Sequence, residues 1–151
     1  MPSVLVGTDA SGVLLNRVSG AVRFADGRIA VADGGTSSRI SLFSHEGIFE
    51  EEIGRPGPGP GEFRWVSHMS VGPEDSLYVF DRGLQRLTVL TPDHRVARIA
   101  RFRPPANGSS RGGLIRVFRL EEEAWVGQGM ESMLQASPGT FAQDTVAVGL
   151  M

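Results

Sequence analysis

The sequence predicts an all-β fold built from small antiparallel sheets. Short runs of alternating apolar and polar residues dominate the chain, and the 3.6-residue periodicity of helices is nearly absent. Turn formers are abundant and evenly spread, with 20 Gly and 9 Pro in 151 residues, which suits many short strands. One pattern of strands and turns recurs after about 47 residues, so we expect consecutive copies of a four-stranded unit.

The first copy lies in residues 18–55, after a segment (residues 1–17) that we assign to the end of a preceding unit. Gly, Asp and Ser turns separate its apolar runs, which is the pattern of an antiparallel meander. Its four predicted strands lie at residues 21–24, 28–32, 39–43 and 48–53.

The second copy lies in residues 66–104 and repeats the polar positions of the first. Asp33 aligns with Asp81, and Arg39 aligns with Arg86. Residues 105–151 hold a degenerate or truncated third copy, in which Trp125 aligns with Tyr78 and Gln128 replaces the repeated aspartate.

A glycine- and proline-rich stretch, GRPGPGPGEFRW (residues 54–65), connects the first two copies. It has no Lys after the glycines and no Ser or Thr for a magnesium ion, and its prolines lack the N–H groups that hold a phosphate. We therefore interpret residues 56–65 as a structural corner, with Phe63 and Trp65 packed between the sheets.

Several of these motifs resemble the NHL-type six-bladed β-propeller family. They are GPGEF (residues 59–63), then IAVAD and LYVFD (29–33 and 77–81), then RISLF and RLTVL (39–43 and 86–90). The resemblance implies propeller blades, of which closed rings need about four to eight. At about 47 residues per blade, the chain supplies about three. We expect a partial propeller: a piece of a longer six-bladed ring, or a half that pairs with a second copy of itself.

Composition limits the chemistry of the chain. It contains no Cys, which excludes disulfides, thiolate metal ligands and a cysteine nucleophile. It begins without a signal-peptide pattern, and no apolar run approaches the roughly 20 residues of a membrane span. We expect a soluble chain with no membrane partner, and its compartment stays open.

The repeated polar residues and one histidine are the candidate site residues. Because the aspartate recurs in the two clear copies, as Asp33 and Asp81, we predict that it binds turn N–H groups instead of a metal or a substrate. We predict that Arg39 and Arg86 pair with these aspartates or cap neighbouring carbonyls. His68 lies in an inner strand, where it is a possible ligand contact in the central channel, although a structural role is favoured.

Positive charge is concentrated in residues 82–119, with nine Arg against one Asp, while the whole chain has a formal net charge of −2. Four of these arginines (Arg95, Arg98, Arg101 and Arg103) are assigned to an outer strand. There they form either an anion- or RNA-binding surface or a solvated edge that prevents strand pairing, and we favour the edge. We therefore do not expect nucleic acid as a partner.

These observations favour a non-enzymatic binding or scaffold module, with no cofactor, that binds a protein or a small ligand through its blade-connecting loops. Two alternatives stay open. One is a part of a propeller enzyme of the lyase or lactonase kind with a metal in the channel, and the other is the arginine-rich anion surface.

Overall fold

The computed structural model describes residues 4, 6, 12–34 and 38–101 in full, and residues 114–119, 125–129 and 146–147 by their backbone alone. Within these ranges the only helical segment is a short 3-10 turn at Pro73–Asp75. The strands are β1 (Val18–Arg23), β2 (Ile29–Asp33), β3 (Arg39–Phe43), β4 (Phe49–Ile53), β5 (Arg55–Pro56), β6 (Glu62–Phe63), β7 (Val66–Val71), β8 (Leu77–Asp81), β9 (Arg86–Leu90), β10 (Val96–Arg101), β11 (Leu114–Arg119), β12 (Trp125–Gly129) and β13 (Val146–Ala147).

The strands form consecutive antiparallel sheets, as the sequence predicted. Strands β1–β4 make one four-stranded sheet and β7–β10 make another, each in the order of the chain. We call them the first and the second blade. Strands β11–β13 make a three-stranded sheet. The all-β fold with four-stranded antiparallel sheets is confirmed.

Both blades use the same strand register. Val18 lies opposite Asp33 in the first blade, and Val66 lies opposite Asp81 in the second. Directly after each valine the inner strand has a bulge, which shifts the register by one residue. The repeat that the sequence shows is therefore also a repeat of backbone pairing.

The third sheet corrects the alignment of the third copy. Leu114 lies opposite Gly129, again with a bulge next to it, so Gly129 takes the place of the repeated aspartate instead of Gln128. By the same register Trp125 matches Leu77, not Tyr78. The sequence alignment was one residue out of step, because an eroded copy has too few fixed residues to set the frame.

The first two blades share one apolar core. It contains Ile40 and Leu42 of the first blade together with Leu77 and Val79 of the second, all essentially inaccessible to solvent. Both faces of the middle strands are buried, since consecutive residues of β2 and of β3 are covered. The inner strand β7 contacts both β1 and β11, so the inner strands lie side by side.

Residues 54–65 carry the chain from the outer strand of the first blade to the inner strand of the second. Gly54 has φ +78°, and a Cβ there would overlap the Phe63 ring, so glycine is required. The short strands β5 and β6 pair in parallel across the segment. Phe63 is completely buried, as expected, whereas Trp65 is 38% exposed and is not part of the buried core.

Candidate functional site

The inner strands begin, and the second strands end, on one side of the blades. Gly34 follows the second strand of the first blade and lies against the Val66 carbonyl of the second blade. Ser38 donates a hydrogen bond from its hydroxyl to the Arg64 carbonyl. The ends of both blades therefore meet here. We call this surface, with Arg17, Arg64, Trp65 and Arg82, the entry face.

The repeated aspartates fix the backbone beneath the entry face. Asp33 is fully buried and accepts hydrogen bonds from the Asn16 and Arg17 N–H groups at 3.2 and 3.0 Å. Asp81 is also fully buried and accepts from the Arg64 and Trp65 N–H groups at 2.7 and 3.1 Å. Each carboxylate thus holds the segment that enters the inner strand of its own blade.

These partners differ in part from the expected ones. A turn N–H was predicted, and one is present, since Leu84 N–H donates to Asp81 at 3.0 Å. The other donors described above lie 16 or 17 residues before the carboxylate in sequence. A contact over this separation depends on how the strands pair, and the repeat pattern by itself does not reveal it.

Backbone hydrogen bonds identify the equivalent positions of the entry face. Gly34 N–H donates to the Arg17 carbonyl, and Arg82 N–H donates to the Trp65 carbonyl, both at 2.8 Å. Arg17 in the first blade therefore corresponds to Trp65 in the second, and Gly34 corresponds to Arg82. The backbone is the same at these positions, and the side chains differ.

Trp65 is the centre of a cluster of arginines. The Cζ atoms of Arg17 and Arg82 lie 5.6 and 4.9 Å from its ring centroid, within the range of a cation–π interaction. Arg64, the preceding residue, is exposed on the same face. The sequence interpretation missed this cluster. A comparison of the residues just before the two inner strands, an arginine in one copy and a tryptophan in the other, would have pointed to it.

His68 lies on the inner strand β7, opposite Phe80, and is half buried. By register its counterparts are Gly20 in β1 and Arg116 in β11. Among the described residues, no three His, Asp or Glu side chains lie close enough together to hold a metal ion. The role of His68 as a ligand contact stays a prediction.

The two repeated arginines bind carbonyls, which was one of the two expected roles. The buried Arg86 guanidinium donates to the Pro58 and Gly59 carbonyls at 2.8 and 2.7 Å and to the Glu62 carbonyl. Burial lowers the pKa of Arg86, and the negative charge of Asp81 opposes this effect. Arg86 therefore organises the corner that precedes the second blade.

Arg39 binds differently from Arg86. Its guanidinium forms an ion pair with Glu52 at 2.7 Å and donates to the Leu14 carbonyl at 3.2 Å. The Arg39 and Glu52 side chains are 26% and 44% exposed. The arginine at this repeat position thus forms a half-exposed ion pair in the first blade, whereas in the second blade it is buried and donates hydrogen bonds to backbone carbonyls.

The opposite side of the blades holds a joint between them. His94 has φ +60°, a left-handed conformation that histidine tolerates in turns, and its Nδ1 lies 2.8 Å from Glu51 of the first blade. Its ring lies 6.2 Å from that of Phe24. Asp75 accepts a hydrogen bond from the Ala25 N–H at 3.0 Å. These contacts tie the turns of the two blades together.

The predicted basic edge is only partly described. Arg98 and Arg101 lie exposed on the outer strand β10. Arg95 precedes this strand, and forms an ion pair with Asp93 at 3.0 Å. Arg103 lies outside the described residues. The edge is separate from the entry face, since β10 is three strands away from β7 in the sheet.

The comparisons with known proteins agree with this architecture. The model of a family described as "6-bladed beta-propeller", DUF5128, matches residues 9–90, which is more than half of the chain. The chain belongs to this family. The propeller is also similar to the crystal structure of a "Putative exported protein" from Bacteroides fragilis NCTC 9343, with 20% sequence identity and a TM-score of 0.63.

That alignment covers 83% of this chain and 33% of the Bacteroides protein, so the chain spans about a third of the length of that structure. At this identity the likeness shows the fold alone. No curated protein matches the chain. Within the described residues, no helix has the length and apolar character needed to cross a membrane.

Proposed function

We propose that this propeller domain is a non-enzymatic binding module that binds its ligand at the entry face. The observation that carries the proposal is the exposed Trp65 between arginines of two blades, Arg17 and Arg82. An aromatic residue with two arginines is the composition that dominates binding surfaces.

The contrast between repeated and unrepeated residues supports this location. A scaffold needs the same residue in each blade, and Asp33 and Asp81 meet this need with the same backbone contacts. A ligand needs particular residues at particular places, and at the entry face Arg17 is replaced by Trp65 in the next blade. Binding residues are typically carried by loops on a rigid scaffold, which is the arrangement here.

A ligand screen with matched variants tests the proposal. We expect compounds from a mixed panel of small molecules and peptides to bind the 151-residue chain, and Trp65→Ala to abolish the binding. Ile48→Ala is the control, because Ile48 is 60% exposed and lies in the turn before β4, away from the entry face. Ligands whose binding survives Trp65→Ala would contradict the proposed site.

The enzyme hypothesis predicts a different result, which an activity assay of the same protein would reveal. A hydrolase or lyase activity that requires an added divalent metal, and that His68→Ala abolishes, would replace the binding module with a propeller enzyme. We expect no such turnover.

We further propose that the two complete blades close a ring with other blades, supplied by the same polypeptide or by a second copy. The family is six-bladed, and an isolated blade leaves apolar faces and strand edges uncovered. We expect the 151-residue chain, with a mass of 16.2 kDa, to self-associate at micromolar concentration. Sedimentation velocity measures this, and a stable monomer that unfolds cooperatively would contradict it.

A further inference from the structure

We propose that the entry face binds an oxyanion, a carboxylate or a phosphate carried by a small molecule, through the guanidinium group of Arg17, beside Trp65 and Arg64. This inference rests on the proposed function, because it names the class of ligand for the same site.

Side chains from two blades converge on one ring. Arg17 comes from the segment that enters the first blade, and Arg82 comes from the loop after the second strand of the second blade. Both guanidinium carbons lie within 6 Å of the Trp65 centroid, at 5.6 and 4.9 Å. One small ligand next to the indole can therefore contact both blades.

The hydrogen-bond donors of Arg17 are available to a ligand, since Arg17 is exposed and forms no ion pair among the described residues. The five N–H bonds of a guanidinium lie in its plane and point outwards from the edges. Carboxylates and phosphates bind these edges with two parallel hydrogen bonds.

The distribution of charge favours an anion. Among the described residues, Arg17 and Arg64 form no ion pair with an Asp or Glu side chain, whereas several other arginines do; these are Arg28, Arg39, Arg55 and Arg95. Arg17 and Arg64 are both exposed. The acidic groups nearby, Asp33 and Asp81, are fully buried and bind backbone N–H groups. The accessible charge of the entry face is therefore positive.

A small ligand fits this cluster better than a long polyanion. The other exposed arginines without an ion pair in the described part of the second blade, Arg98 and Arg101, lie on the outer strand at the far edge of the sheet. RNA binding would be expected to use such a basic strand as well, and to fall steeply with salt. The oxyanion site requires only the residues around Trp65.

Three matched sugars test the inference: D-galacturonate, D-galactose 6-phosphate and neutral D-galactose. The readout is the indole N–H signal of Trp65 in NMR spectra, which is assigned by its absence in Trp65→Phe. We expect the signal to shift with the carboxylate sugar, the phosphate sugar or both, and not with galactose. The response to each anion shows which oxyanion the site prefers.

Two arginine variants separate a specific site from general electrostatics. Arg17→Ala should weaken anion binding by about tenfold, the effect of losing a charge-assisted hydrogen bond. Arg98→Ala removes the same charge from the outer strand and should leave the affinity unchanged. Arg17 binds Asp33 through its backbone N–H, so the variant keeps this anchor. Arg17→Lys, which keeps the charge but lacks the planar fork of hydrogen-bond donors, should also weaken binding.

Other outcomes overturn the inference in distinguishable ways. Absence of any anion-dependent shift, or equal weakening by Arg17→Ala and Arg98→Ala, would refute the oxyanion site. An RNA oligonucleotide whose binding depends on Arg98 as much as on Arg17 would assign the charge to a polyanion surface. If only neutral compounds bind, and Trp65→Ala abolishes their binding, the ligand class is wrong while the proposed function stands.

Discussion

The first and the second blade pair their strands in the same register, with a bulge at the same place in each inner strand. Each has a buried aspartate opposite an arginine, Asp33 with Arg39 and Asp81 with Arg86. The arginines nevertheless have different surroundings. Arg86 is 2% exposed and binds three carbonyls of the corner, whereas Arg39 pairs with a half-exposed glutamate.

This difference shows that two residues at the same repeat position can have different surroundings. We therefore expect them to contribute unequally to the free energy of unfolding. The register places both arginines opposite an aspartate, but the segment that lies over each of them comes from elsewhere in the chain. Where residues 54–65 lie against Arg86, the guanidinium is desolvated and becomes part of the core. Substitutions at equivalent positions therefore measure how much each blade depends on its neighbours.

The largest expected effect is at the repeated arginines. Arg86→Ala should lower the free energy of unfolding by about 3–5 kcal/mol, because it leaves buried carbonyls of the corner without a donor. Arg39→Ala should lower it by only about 0.5 kcal/mol, as is typical of an exposed ion pair. Urea denaturation of both variants gives the two values.

Arg86→Lys is the control for charge. Lysine keeps the positive charge but lacks the planar fork that reaches several carbonyls, so it should restore only part of the loss. Equal effects of Arg39→Ala and Arg86→Ala would show that the two arginines have the same role and would contradict the comparison.

The repeated aspartates come next. Asp81→Ala should lower the free energy of unfolding by about 1–3 kcal/mol, because the part-buried N–H groups of Arg64, Trp65 and Leu84 lose their acceptor. The same substitution at Asp33 tests whether this anchor has equal weight in the first blade. A metal bound by either aspartate, detected by calorimetric titration, would refute the structural role.

A smaller effect of opposite sign is expected in the third strands. Ser41 and Thr88 occupy equivalent positions and are both fully buried, and their hydroxyl oxygens have no hydrogen-bond partner among the described residues. Thr88→Val keeps the shape and removes the polar group, so it should raise the free energy of unfolding by up to about 1 kcal/mol. Thermal unfolding measures the change, with Ser41→Ala as its counterpart. A clear loss of stability in both variants would reveal a partner for these hydroxyls.

The smallest effect depends on pH and concerns the corner. The Gly59 N–H and the Arg55 guanidinium lower the pKa of Glu62 from 4.5. A carboxylate with a lowered pKa stabilises the fold above pH 4.5, and this contribution disappears as the pH falls through the folded-state value. The stability difference between the parent chain and Glu62→Gln should therefore shrink in acid.

Urea titrations between neutral and acidic pH measure this difference. Glu74→Gln, in the 3-10 turn that follows β7, is the control for the loss of one negative charge. A difference for Glu62→Gln that stays constant with pH would show that the carboxylate does not stabilise the corner.

Local patterning of the sequence was sufficient for the fold. Alternating apolar residues, turn residues and a repeat of about 47 residues predicted four-stranded antiparallel sheets, because the period of a strand and the needs of a turn act over a few residues. The weak third copy was placed one residue out of step, since an alternating pattern allows neighbouring frames when anchor residues are missing.

The tertiary structure decided which residues the blades expose and which they bury. Arg39 and Arg86 look alike in sequence, and only the corner makes one of them a core residue. Trp65 looks like a core aromatic, yet it lies exposed beside Arg17 and Arg82. These outcomes depend on contacts between segments about 17 to 48 residues apart, whose approach is set by strand pairing and blade packing and leaves no periodic signal in the sequence.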